Sequence, residues 1–165
     1  MTREIEDVGT CWDSAGVTNL TKVNSSLLTR TLNSQHGVLT RRQALAAGLT
    51  MDMVQRRIRR GGSWQRLLPG VYLTVTGTPV IDQRDIAAML YAGPGSIITA
   101  AAALRRHGMR TADADVIDVL IPITRRRESA GFVKIHRTAR LPEAAYASGS
   151  VTFATPARAD RKSVV

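Results

Sequence analysis

Residues 36–62 read HGVLTRRQALAAGLTMDMVQRRIRRGG, and this stretch decides how the rest of the chain is to be understood. Thr40 stands where a helix N-cap belongs, with Gln43 three positions on, the spacing at which each side chain satisfies an orphan backbone donor of the other residue. The helix this opens runs through Ala47, and Gly48 supplies a left-handed stop. A second start follows at once: Leu49 precedes Thr50, another N-cap, and Val54 is placed to close over Leu49 as a hydrophobic staple. Met51, Val54 and Ile58 form an inward stripe at helical spacing. Met53, Arg56, Arg57 and Arg60 fall on the opposite side, and Gly61-Gly62 ends the element.

Working outward, Asn24 or Ser25 begins an earlier helix carrying Leu27, Leu28, Thr31 and Leu32, which His36-Gly37 terminates. Downstream, residues 64–67 and 70–75 are two short strand patterns joined by Leu68-Pro69-Gly70, which reads as a hairpin. The order helix, helix, tight turn, basic helix, hairpin within residues 24–77 is that of a winged helix-turn-helix. Residues 1–23 lack periodicity and are expected to be a flexible tail.

Residues 78–165 predict a small α+β module, so the fold class as a whole is α+β. Thr78-Pro79 resembles an N-cap followed by the first helical position, opening a helix that turns Ile86, Met89 and Leu90 inward and stops at Gly93-Pro94-Gly95. Thr99 caps a short Ala-rich helix ending at His107-Gly108. Strand patterns follow at 116–121, 132–136 and 151–154, with Arg125-Arg126-Arg127 between the first two.

Charge narrows the function. The chain carries 23 Lys+Arg against 13 Asp+Glu, a formal net charge of +10, and only Lys22, Lys134 and Lys162 are lysines. Arginine's planar fork suits phosphate oxygens and the guanine edge. A helix-turn-helix lays its second helix in the major groove while the first crosses the backbone. Residues 41–66 hold seven arginines and a single acid, Asp52, which is unlike a solvated face of mixed sign. We therefore expect DNA contacts from Arg41, Arg42, Thr50, Met53, Arg56, Arg57, Arg60 and Arg66. Arg56, Arg57 and Arg60 would read base edges, whereas Arg41, Arg42 and Arg66 would anchor phosphates.

His36–Gly48 and the segment Trp64-Gln65-Arg66-Leu67-Leu68-Pro69-Gly70-Val71-Tyr72 closely resemble the N-terminal winged-helix domain of the AbiEi-type antitoxin family. Tyr91-Ala92-Gly93-Pro94-Gly95, Ile121-Pro122, Val133-Lys134-Ile135-His136-Arg137 and Thr155-Pro156-Ala157-Arg158 resemble the region that follows it in such proteins. The likeness spans about residues 27–158. It implies a DNA-binding antitoxin that represses its own operon, paired with a nucleotidyltransferase toxin encoded nearby in a type IV toxin–antitoxin system. Many relatives carry a Ser-His pair where this chain reads Thr99-Ala100. Relatives often continue beyond the Thr-Pro-Ala-Arg segment, some into an endonuclease-like domain, so the α+β module is expected to be incomplete at its C-terminus.

Nothing in the residues predicts an enzyme, a cofactor or a metal site. Asp113, Asp115 and Asp118 cluster without the Glu-x-Lys triplet of a restriction-type nuclease. His36, His107 and His136 are isolated; two of them, His36 and His107, sit beside helix-ending glycines, and capping is the expected role. Arg125–Arg127 is either a second phosphate contact or a solvated hairpin loop. Gly93-Pro94-Gly95 lacks the Gly-Lys-Ser/Thr ending of a phosphate-cradling loop. Cys11 has no His or Asp companion, and one cysteine with no signal or membrane-spanning run suits a cytoplasmic protein. Double-stranded DNA, in the form of an inverted repeat in the protein's own promoter, is the expected partner, bound by a weak homodimer. Two alternatives stay open: a protein-interaction module built on residues 78–158, and a non-catalytic remnant of a longer protein.

Overall fold

The computed structural model describes residues 23–111, 115–142 and 145–159. Residues 1–22 of the expected tail (1–23), with Cys11, Asp113 and the last six residues, lie outside this set, while Val23 packs against the first core. Within it the chain is a mixture of helices and two separate sheets, an α+β protein.

The first three helices are α1 (Ser25–Ser34), α2 (Arg41–Ala46) and α3 (Met51–Ile58), each opened by the side chain that local hydrogen bonding requires. Asn24 accepts from the Leu27 N–H at 2.9 Å, and Thr50 Oγ1 accepts from the Met53 N–H at 3.2 Å. At α2 the reciprocal box is complete: Gln43 N–H donates to Thr40 Oγ1 at 3.1 Å, and Thr40 N–H donates to Gln43 Oε1 at 2.8 Å. A three-residue strand that the sequence reading did not anticipate, β1 (Val38–Thr40), separates α1 from α2. It pairs antiparallel with β3 (Val71–Leu73), which also pairs with β2 (Gln65–Leu68), so the sheet order is β1-β3-β2.

This small sheet is covered on both faces. Leu39 and Tyr72 are register partners and belong to a core with Ala44, Leu49, Val54 and Trp64, against which Leu28, Leu32, Met53 and Ile58 also pack. Side chains alternate across a strand. Val38, Val71 and Leu73 therefore point the other way, where with Leu68 they join a second, larger core. That core belongs to the second half of the chain.

Its centre is α4 (Ile81–Ala92), which contacts all three strands of the small sheet as well as the large one. The helix starts two residues later than Thr78-Pro79 suggested, with Val80 at the N-cap, whose N–H donates to Gln83 Oε1 at 3.1 Å. Ile86, Ala87, Ala88, Tyr91 and Ala92 are all buried, as befits a helix with neighbours on most sides. The expected division at 77/78 thus coincides with a change of sheet, while one apolar core runs across it.

The large sheet has the order β6-β5-β4-β8-β7. It comprises β4 (Ile97–Thr99), β5 (Ile117–Pro122), β6 (Val133–Thr138), β7 (Ala145–Ser148) and β8 (Val151–Ala154). The helices α5 (Ala100–Arg106) and α6 (Pro156–Ala159) pack against each other. β4 and β7 escaped the sequence reading; both are short. β5 and β6 run parallel, so the arginine-bearing loop between them is a crossover and not a hairpin loop. Among the described residues, no helix is long and apolar enough to cross a membrane.

Candidate nucleic-acid interface

The N-terminus of α2 and the C-terminal end of α3 are each tied by a backbone hydrogen bond to the hairpin or the residue that leads into it. Arg41 N–H donates to the Gly70 carbonyl at 2.8 Å, which sets the start of α2 on the hairpin turn. Arg41 Nε lies 3.1 Å from Met51 Sδ, so the same residue also leans on the first turn of α3. Arg41 and Arg42 are both exposed.

On α3 the structure rotates the expected faces. Val54 is fully buried and Ile58 half-buried, as the inward stripe requires. Met51, however, is only half-buried and sits beside Arg41, while Met53 packs on the core and Arg57 is half-buried. Neither Met53 nor Arg57 projects outward as the helical wheel suggested. The cause is the turn that follows. Arg59 leaves the helix with extended geometry (φ −67°, ψ 166°), and Trp64 N–H donates to the Arg57 carbonyl at 2.9 Å, folding the indole back beneath α3. The turn depends on Gly62, where an added Cβ would stand 2.1 Å from the Arg57 carbonyl oxygen. With Trp64 covering that side, the buried arc shifts toward positions 53 and 57.

The outward arc is therefore Asp52, Gln55 and Arg56, all exposed. Thr50 is exposed as well, but its hydroxyl is engaged in capping. Arg59 and Arg60 lie beyond the last helical residue, exposed in the turn, where a helical wheel no longer applies. Gln55 and Arg59 escaped the sequence reading. Gln55 has the amide that pairs with adenine, and the outward arc would have revealed it had the position of Trp64 been known. Arg66 is exposed on β2 and is the register partner of Tyr72, which puts it on the face of the sheet that carries α2 and α3.

The electrostatics of this face are one-sided. The carboxylates that meet a basic side chain among the described residues are Asp85 with Arg105, Asp82 with Arg106 and Asp118 with His136, all in the second half. Arg41, Arg42, Arg56, Arg59, Arg60 and Arg66 take part in none of these contacts. All six are exposed, an arrangement of cationic side chains suited to a polyanion.

The other candidates occupy structural positions. His107 caps α5 and its Nε2 bonds the Ala154 carbonyl at 3.1 Å. His36, with φ 50°, turns the chain from α1 toward β1, and its carbonyl accepts from Gln83 Nε2 at 3.0 Å. His136 is not a cap: it lies on β6 and bonds Asp118 Oδ1 at 2.6 Å. Among the described residues no three His, Cys, Asp or Glu side chains are grouped as a metal site would need. The chain matches no family model and no curated protein.

Proposed function

We propose that the protein is a cytoplasmic DNA-binding regulator of the antitoxin type, which represses its own operon and has no catalytic role. The observation that carries this reading is the set of exposed arginines, unpaired among the described residues, at the start of α2, on and just beyond α3, and on β2. In a winged helix-turn-helix these are the elements that approach the duplex: the first helix across the backbone, the second in the major groove, the hairpin alongside. The AbiEi-type resemblance supports the same reading and adds a nucleotidyltransferase toxin encoded nearby. On this reading Arg56 and Gln55 meet base edges, Arg41, Arg42 and Arg66 meet phosphates, and two copies occupy an inverted repeat.

The test is fluorescence anisotropy on a duplex from the protein's own promoter and on a random duplex of equal length. We expect tighter binding to the promoter, and Arg56→Ala to reduce that preference at a cost of about 1–3 kcal/mol. Equal, weak binding to both duplexes by wild-type protein and variant alike would remove the regulatory reading.

A further inference from the structure

Building on that reading, we propose that the groove between the small sheet and the C-terminal end of α4 is a second phosphate-backbone site, which carries the DNA strand onward from α2 to the arginines of the β5–β6 loop. The groove encloses about 910 Å³. One wall is the start of α2 and the hairpin turn, with Arg42, Pro69 and Gly70; the other is the Gly93–Gly95 turn with Arg125 and Arg127. Three arginines and no carboxylate line it. A space of this size exceeds the needs of a single phosphate ion, and its cations come from opposite walls, Arg42 from one and Arg125 and Arg127 from the other.

The two loop arginines are held in place. Arg125 Nη1 donates to the carbonyl of Ala92, the last residue of α4, at 3.2 Å, where the negative end of the helix dipole favours a cation. Gly93 is what lets it approach, since an added Cβ there would lie 2.4 Å from the same nitrogen. Arg127 stacks over the Tyr91 ring at 4.8 Å, and the Tyr91 hydroxyl donates to the Glu128 carbonyl at 2.8 Å, fixing the loop beneath it. Arginines so anchored lose less conformational freedom when an anion arrives. The path is continuous, because adjacent residues divide the start of α2: Arg41 leans on α3, and Arg42 opens into the groove. A strand contacted near α3 is thus already directed at the loop. This assigns Arg125 and Arg127 of the 125–127 run to phosphate contact, one of the two roles its sequence allowed.

The experiment is the same anisotropy titration, run at several salt concentrations with wild type, Arg42→Gln, Arg127→Gln and Arg127→Lys, each checked by thermal melting. Arg42→Gln and Arg127→Gln should weaken promoter and random duplexes alike. Each should remove roughly one unit from the slope of log affinity against log salt, which makes the loss of affinity over a fourfold rise in salt roughly threefold smaller than for the wild type. Arg127→Lys, which keeps the charge, should retain most of the slope. Wild-type affinity and slope in Arg127→Gln, on DNA that the wild type binds, would overturn the groove assignment and leave the regulatory reading standing, since that reading by itself expects the loss at Arg42 alone. Failure of the wild type to bind either duplex would overturn the DNA reading and this inference with it.

Discussion

The Arg57 guanidinium lies 5.4 Å from the centre of the Trp64 ring, and its Nη1 donates to the Met53 carbonyl at 3.1 Å. An arginine in the middle of the most basic run of the chain is thereby committed to the fold. Arg57→Ala should cost about 1 kcal/mol of stability through the lost cation–π contact and stem packing, and should leave base preference intact. Arg56→Ala should do the reverse. Melting curves and competition binding on the two variants separate the roles, and a loss of base preference in Arg57→Ala without a change in melting would contradict the assignment.

The shared core makes a second prediction. Val38, Leu68, Val71 and Leu73 are at most 2% exposed because α4 and the second half cover them. Removing that cover would return four apolar side chains to water at roughly 1.5–3 kcal/mol each, a sum comparable to the whole stability of a small domain. A fragment of residues 1–77 should therefore lack a cooperative melt, even though it contains the helices and the hairpin complete. Circular dichroism of the fragment is the measurement, and a melt near that of the full chain would show the two halves to be independent.

Asp85, on α4, is 3% exposed, and burial pushes its carboxyl up to about 6, against the pull of Arg105 at 3.8 Å. Its Oδ1 has no hydrogen-bond partner among the described residues. Because the folded value is raised above the unfolded one, the folded state binds the extra proton. The stability linked to it is fully present below about pH 4, falls as pH rises to about 6, and is absent above that. Asp85→Asn should be the more stable protein at pH 8, by on the order of 2–3 kcal/mol, with the difference shrinking toward pH 4. Denaturant unfolding at the two pH values checks the sign.

Ala100 has φ 53°, in the left-handed region that costs a residue with a Cβ about 1–2 kcal/mol. It sits where β4 turns directly into α5. Ala100→Gly should raise stability by up to about 1 kcal/mol once glycine's extra unfolded-state freedom is subtracted, and Ala100→Val should lower it by more. Paired thermal melts decide the matter; a glycine variant that melts lower than wild type would remove the strain argument.

What the sequence disclosed follows the range of the forces involved. The caps at Thr40 and Thr50 were legible because their hydrogen bonds close within three residues. The hairpin was legible because Pro69-Gly70 marks its turn, with φ 76° at Gly70. β1 was not, since three residues show no period and its partner is Leu73, far along the chain. The outward face of α3 was misjudged because Trp64, six residues beyond the helix, decides which arc is covered. One signal of the shared core did lie in the sequence: Val71-Tyr72-Leu73 is apolar without alternation, the pattern of a strand covered on both sides.

The covering of the small sheet on both faces has a mechanical consequence. Residues 74–80 connect the two halves, but they cannot serve as a joint while α4 is packed against all three strands. The separation between α3 and the loop at 125–127 is therefore fixed by interlocked side chains and cannot be adjusted by a linker. Were α3 and this loop to hold one strand, as proposed, the molecule would gauge length: it would accept a ligand whose contact points match its own fixed spacing and have no slack with which to follow one that does not.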